Sequence, residues 1–287
     1  MTALARPEAG LGPESIQAVV GYLEATSPSP EIYLCKPPDG VAAENCATDL
    51  RRVAMHNVRA ADAMPTLSGD GVQFVRDELP SIDFDDAQQV RATYYPMLQR
   101  LALKVTGGTD AFVFDHLVRR RDPQVNLFRF GERGPKAKVG ALGRVHNDYS
   151  ELSGRRRLKL VMDEFGTKVQ PRHYCIVNLW RSIGGVIEDS PLAFCAAPSV
   201  FKDDLVSATL HYGHRDGEIY LLKFNPGHRW LYMDGMDNMD VAVFKQFDTR
   251  LNAGSRFVPH SAFDLPGAEA AKSHRSSIEA RVLVYLQ

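Results

Sequence analysis

The strongest periodic signal in the chain lies at 86–105. There Val90, Tyr94, Met97, Leu98, Leu101 and Val105 fall on one helical stripe, and Asp85 or Asp86 stands where an N-cap belongs. Residues 14–25 (ESIQAVVGYLEA) read as a shorter amphipathic helix, closed by the breakers SPSP at 27–30 and KPPDG at 36–40. Two early strands are expected at 51–57 and 72–76. After Gly107-Gly108 the pattern changes: AFVFDHLV (111–118) alternates and is rich in aromatic and β-branched residues. Further short strands are expected at 124–130, 141–146, 173–181, 192–196, 208–212, 218–224, 229–233, 241–248, 256–260 and 278–286, with one more helix at 155–165. Turn residues separate most of them, as at Asn225-Pro226-Gly227. Many short strands after a helical start predict a mainly β, α+β chain: a single-domain jelly roll with flanking helices. Residues 1–50 are expected to be a helical and loop segment packed on the core, and 51–287 the jelly-roll domain.

Composition narrows the function classes. The 287 residues are 44% hydrophobic and 24% charged, as in an ordinary globular protein. A net charge of −1 and a pI near 6.8 leave no basic field for nucleic acid or an anionic membrane. No stretch approaches the roughly 20 apolar residues that span a bilayer. The segment Met1 to Pro13 lacks a continuous apolar core, so it does not read as a signal peptide, and the expected location is the cytoplasm. The expected partner is a small-molecule substrate, with a homodimer allowed. Cys35, Cys46, Cys175 and Cys195 form no C-x-x-C pair, which argues against a thiolate zinc site. Cys175 and Cys195 stand in apolar surroundings and read as buried small hydrophobes.

Two segments read H-x-D: His146-Asn147-Asp148 and His214-Arg215-Asp216. Two histidines and a carboxylate on one face of a metal, with the other positions open, are what non-haem Fe(II) oxygenases use. In the second segment Asp216-Gly217 reads as a hairpin turn. The first ends the apolar strand ALGRVH, and enough strands follow it to build the rest of a jelly roll, so the residues favour His146 and Asp148. His228, His260 and His274 are the distal candidates. A histidine at a strand end is ordinarily a half-buried, hydrogen-bonded side chain. What raises His260 is its sequel: Arg275-Ser276-Ser277 opens the last strand, and a guanidinium plus a hydroxyl suits the far carboxylate of a dicarboxylic co-substrate. Period two puts Arg275, Ser277, Glu279 and Arg281 on one face, which makes Arg281 a competing candidate, or a partner of Glu279.

Other residues carry weaker signals. Asn178 and Trp180 share a strand face opposite Arg181, and each is a candidate for the substrate or co-substrate wall, or for plain core and surface. Arg119 belongs to the basic run Arg119-Arg120-Arg121, which is either a solvated strand end or an anion patch. The loop GERGPKAKVG (131–140) reads as a lid or as an ordinary surface loop.

Taken together, GVQFV (71–75), YYP (94–96), FDHLVRRR (114–121), VHNDYS (145–150), NLWRSIGGVIEDSPLAFC (178–195), HRDGEIYLL (214–222), HRWLYM (228–233), VFKQFD (243–248), PHSAF (259–263) and RSSIEARVLV (275–284) resemble one family. It is the AsaB-type hydroxylase/desaturase group of Fe(II)/2-oxoglutarate oxygenases, with its GA4 desaturase-like and CmcJ-like members. The resemblance runs from about residue 51 to the end. It implies a double-stranded β-helix, iron on His146, Asp148 and His260, 2-oxoglutarate on Arg275 with Ser277, and O2 as oxidant. It implies C–H hydroxylation, desaturation or a related oxidation of a small organic molecule, in secondary metabolism. Ser182 and Ala196 stand where the family often has proline and aspartate, which is where this pocket is expected to differ. The alternatives are a cupin-type metal enzyme that needs no 2-oxoglutarate, and a non-catalytic partner of a companion enzyme.

Overall fold

The computed structural model describes residues 13–26, 29–130 and 139–287. The chain opens with strands β1 (Ser15–Leu23), β2 (Glu31–Tyr33), β3 (Thr48–Asn57) and β4 (Val72–Arg76). The helix expected at 14–25 is therefore strand β1. Ile16, Val19, Val20 and Leu23 fit a helical stripe, but Ile16, Ala18, Val20 and Tyr22 fit period two equally well. Antiparallel pairing with β3 from Ser15↔His56 to Leu23↔Thr48 settles the ambiguity, because it buries the second set in one apolar cluster.

The long helical stripe is present as α1 (Ala87–Gln89), a π turn (Val90–Tyr94) and α2 (Tyr95–Thr106), which follow one another directly. Asp86 caps it, accepting from the backbone N–H of Gln88 and Gln89, and Gly107 ends it at φ 70°. Then come β5 (Asp110–Arg120), β6 (His146–Asn147) and α3 (Glu151–Phe165). The strand expected at 124–130 is a run of turns, and the one at 141–146 reduces to β6. Residues 131–138 of the expected lid lie outside the described residues.

With short 3-10 turns at Ala197–Ser199, Lys202–Asp204 and Ala268–Ala270, the rest of the chain is dominated by strands. In order these are β7 (His173–Ser182), β8 (Leu192–Cys195), β9 (Leu205–His211), β10 (Asp216–Leu222), β11 (Trp230–Tyr232), β12 (Asp240–Asp248), β13 (His260–Ala262) and β14 (Ser276–Leu286). The β9–β10 turn is centred on 212–215, where Gly213 has φ 87°. Asp216 is thus the first residue of β10, not part of the turn.

The strands form two sheets of a jelly roll. The larger has the order β1-β3-β11-β8-β13-β6-β10-β9-β2, and the smaller β4-β12-β7-β14-β5. Bridges Gly21↔Arg144 and Leu23↔Lys223 bring β1 back beside the β6 and β10 ends, so the larger sheet curls on itself. Alternation divides the smaller sheet. Val177 and Leu179 of β7, and Ile278, Ala280, Val282 and Val284 of β14, turn outward to the α2 stripe of Leu98, Leu101 and Ala102. Trp180 and Phe244 turn inward and pack with Phe74, Phe194 and Leu231 between the sheets. Both faces of β7 are covered, which is why His173–Ser182 is buried along nearly its whole length. Cys175 and Cys195 are buried free thiols, and burial pushes each up to about 12, in keeping with inert core residues.

Helix α3 closes one end and rests on β12. Ser150 caps it, its hydroxyl accepting from the Ser153 backbone N–H. The close approach depends on Gly154, where an added Cβ would lie 2.6 Å from Cγ of Phe247. Glycine inside a helix costs up to about 1 kcal/mol against alanine, but overpacking a core costs about 1–3 kcal/mol. Overpacking wins, so Gly154→Ala is expected to destabilise the fold by roughly 1–2 kcal/mol in urea unfolding. A raised unfolding midpoint would mean that α3 can lift from β12 at no cost.

Candidate metal centre

The site forms where β6 and β13 meet. His260 pairs with His146 across the two strands, and their ring centroids are 4.4 Å apart. Asp148 follows β6 and places Oδ1 3.4 Å from Nε2 of His146. The ligand atoms of His146, Asp148 and His260 all lie within 4.8 Å of one another. Two imidazole nitrogens and one carboxylate oxygen are a donor set suited to Fe(II).

Each imidazole is oriented by a backbone carbonyl. His146 Nδ1 lies 2.8 Å from the Arg144 carbonyl, and His260 Nδ1 lies 3.3 Å from that of Val258. A carbonyl only accepts, so Nδ1 carries the proton and Nε2 keeps its lone pair free. Phe130 and Phe244 press edgewise on the two rings. Burial, then the neighbouring His146, hold His260 down at about 3, so it is neutral at any working pH.

Asn147 points away from the histidines and joins strands. Its amide donates to the carbonyls of Tyr149 and Gln246 and accepts from the backbone N–H of Val258. The Asp148 backbone N–H donates to Gln246 Oε1 at 2.7 Å. Asp148 Oδ2 accepts from Asn178 Nδ2 at 2.9 Å and Arg281 Nε at 2.8 Å. Burial pushes this carboxyl up, but Arg281, and then His146 and His260, outweigh it and hold it well below the usual carboxylate range.

The inner face of β14 carries Ser277, Glu279 and Arg281 in cross-strand rows. Ser277 lies between Ser182 and Arg119, Glu279 between Trp180 and Leu117, and Arg281 between Asn178 and Asp115. Arg281 donates to Asp148, Asp115 and Glu279 together. Arg275 is different. Its Nη1 donates to the Ser190 carbonyl, its backbone N–H is held by Asp189, and its guanidinium lies 5.7 Å from the Trp180 ring. Its Nε has no partner, nor does Ser277 Oγ, and both are buried. Arg275, Arg119, Trp180 and Glu279 line one small cavity with His146 and His260. Burial, then Arg119, bring the Arg275 guanidinium down to about 10. Buried donors without acceptors beside a metal-type cluster are what a bound carboxylate would satisfy.

The other candidates lie elsewhere. His214 and Asp216 are exposed, and Asp216 accepts from His211. His228 is bound between Tyr22 and Asp204, and His274 beside Asp189. Arg181, expected as a pocket candidate, lies on the opposite face of β7. It donates to the carbonyls of Asp77 and Glu78 and stacks over Tyr94. Asn178 reaches the site by holding Asp148, and Arg119 reaches the cavity while donating to the Gly140 carbonyl. The sequence reading did not single out Asp115, Asn147 and Gln246. Their only sequence signal is polarity inside otherwise apolar strands, and their partners come from other strands.

A family model described as Oxidoreductase/YMDC permease-like domain matches residues 20–285. The alpha-ketoglutarate-dependent dioxygenase phiK of a fungal species is 31% identical over 243 residues, which span 82% of this chain and 84% of that protein. The chain belongs to the AsaB-type Fe(II)/2-oxoglutarate oxygenases. The hydroxylase/desaturase efuI of Hormonema carpetanum is 27% identical to this oxygenase over 248 residues, 81% of this chain and 83% of its own. The solved iron and alpha-ketoglutarate-dependent endoperoxidase NvfI shares the fold at a TM-score of 0.81 and 19% identity, covering 95% of this chain and 98% of its own. The oxygenase accordingly uses Fe(II), 2-oxoglutarate and O2. Among its described residues no helix is long and apolar enough to cross a membrane.

Proposed function

We propose that His146, Asp148 and His260 hold the Fe(II), that Arg275 with Ser277 receives the far carboxylate of 2-oxoglutarate, and that the enzyme oxidises a C–H bond of a small organic molecule of secondary metabolism. The observation that carries the site assignment is a cavity lined by His146 and His260 of the N, N, O cluster and by Arg275, whose Nε is unpartnered, with the unpartnered Ser277 Oγ two residues further along the chain. Arg281 fits the co-substrate role less well, because its guanidinium already donates to three protein carboxylates. For the substrate class, support comes from membership of a family whose relatives are named hydroxylase/desaturase.

When bound, Fe(II) and 2-oxoglutarate supply the oxidative decarboxylation with O2 that makes an oxidant able to attack a C–H bond. The protein's part is to bind, orient and exclude water. His146 and His260 present fixed Nε2 lone pairs, and Asp148 presents Oδ1. Arg275 and Ser277 align the dicarboxylate from the far end, and Trp180 roofs the guanidinium. Leu142, Leu192 and Ala262 supply the remaining, apolar part of the wall. Succinate formation from labelled 2-oxoglutarate, across a panel of small natural-product intermediates and amino acids, tests the activity. Absence of any substrate-stimulated turnover in the iron-loaded enzyme would count against it.

Two further outcomes are expected. His146→Ala, Asp148→Ala and His260→Ala should each abolish Fe(II) binding by calorimetry, whereas His214→Ala and Asp216→Ala leave it intact; the reverse pattern would move the metal to the second H-x-D. Charge-assisted hydrogen bonds are worth about 1.5–3 kcal/mol each, so Arg275→Ala should raise the 2-oxoglutarate requirement on the order of tenfold to a thousandfold. Iron affinity should change little, and Arg275→Lys should restore only part of the loss, because an ammonium lacks the planar fork. An unchanged KM for 2-oxoglutarate in Arg275→Ala would refute this placement.

A further inference from the structure

The two oxygens of Asp148 keep different company. Oδ1 faces His146, while Oδ2 takes both Arg281 Nε at 2.8 Å and Asn178 Nδ2 at 2.9 Å. Arg281 is not a loose side chain that happens to reach a carboxylate. Its Nη1 donates to Asp115 at 2.9 Å and its Nη2 to Glu279 at 3.2 Å, so the guanidinium is clamped at three points. The sheet prepares this arrangement. Asn178, Arg281 and Asp115 stand side by side on β7, β14 and β5, and the β14–β5 register shifts directly after Arg281. Such irregularities re-aim side chains at functional sites.

A carboxylate beside a divalent cation can bind through one oxygen or through both. Binding through both would occupy one more metal position. In this oxygenase, swinging Oδ2 toward a metal would break its bonds to Arg281 and to Asn178. We propose that Arg281, with Asn178 beside it, is a positioning residue that restricts Asp148 to a one-oxygen metal bond and so keeps a coordination position open. This rests on the assignment of the metal to His146, Asp148 and His260. It gives Arg281 a role distinct from that of Arg275: Arg275 meets the co-substrate, and Arg281 meets the ligand that holds the metal.

The test uses the full chain loaded with Mn(II) alone, with water-proton relaxation enhancement reading the number of waters on the metal. Three protein ligands leave three positions of an octahedron. Loss of one open position should therefore lower the enhancement by roughly a third in Arg281→Gln and in Asn178→Leu. Arg281→Lys, which keeps a cationic donor, should recover part of it. In the iron enzyme, Arg281→Gln should lower kcat by about tenfold or more, the usual scale for groups that orient a metal ligand. KM for 2-oxoglutarate should stay near wild type, a split that a general loss of fold would not produce. If Arg281→Gln does not fold, Asn178→Leu removes the other donor to Oδ2 and carries the same comparison. Enhancement that is absent from the wild type, or unchanged in Asp148→Ala, would overturn the metal assignment itself. Enhancement that depends on Asp148 but is identical in wild type, Arg281→Gln and Asn178→Leu would leave the metal assignment standing and overturn the role given to Arg281.

Discussion

His260 stands directly opposite His146 across β13 and β6, and the rest of the site depends on that register. Strand side chains alternate with a period of two, so a slip of one residue in either strand would turn an imidazole to the other face of the sheet. The register is fixed from several sides. Phe194 of β8 pairs with His260 on its other flank, Asn147 ties β6 to the Val258 backbone and to Gln246, and Tyr220 and Leu221 of β10 pair with Asn147 and His146. A β6 of two residues would be marginal by itself. Set between β13 and β10 in a curled sheet, it is held on both flanks.

The second sheet solves a different problem, the burial of charge. Its inner face carries Arg119, Glu279 and Arg281, facing Asp148 from the other sheet, with Arg275 just before β14. Unpaired charges in such a place would each cost several kcal/mol, roughly. The arrangement therefore groups opposite signs in rows, Arg281 with Asp148, Asp115 and Glu279. The rows do not use every donor, because Arg275 Nε and Ser277 Oγ are left over. Arg275 lines the cavity beside the histidines, where an anionic co-substrate would complete its bonding. The outer face of the same strands is mainly an apolar seam with α2, with Arg181 held there by the Asp77 and Glu78 carbonyls. One strand such as β7 serves both purposes, with Leu179 outward and Trp180 inward.

Much of this was legible from the chain itself. Alternation marked β5, strands were expected where β7, β12 and β14 lie, and the stripe from Val90 to Val105 marked the helix, because tertiary contacts there reinforce the local pattern. The unequal contexts of the two H-x-D segments separated an apolar strand end from an exposed turn. Period two on the last strand put Ser277, Glu279 and Arg281 on one side, as the structure has them, while Arg275, expected on the same face, lies just before β14. Where local pattern was ambiguous it misled: residues 14–25 fit two periods, and only pairing with β3 chose between them. The segment 124–130 has the apolar content of a strand, but in the structure it is a run of turns.

The sequence by itself determined which residues are able to bind a metal and an anion, since imidazole, carboxylate, guanidinium and hydroxyl are chemistry that needs no fold to recognise. It also determined that Arg181 and Trp180 point oppositely, because alternation along a strand is a property of the backbone. It did not determine which face looks into the cavity; the π turn and α2 decided that by covering the side that carries Arg181 and Leu179. Nor did it distinguish the surroundings of Arg275 from those of Arg281. They lie six positions apart, one just before β14 and one within it, and only the tertiary structure sets Arg281 beside Asp148, Asp115 and Glu279 and leaves Arg275 with an empty hydrogen-bond donor. The difference comes from partners supplied by β5, β7 and the segment after β6, and cross-strand neighbours are not written in the sequence of the strand they face.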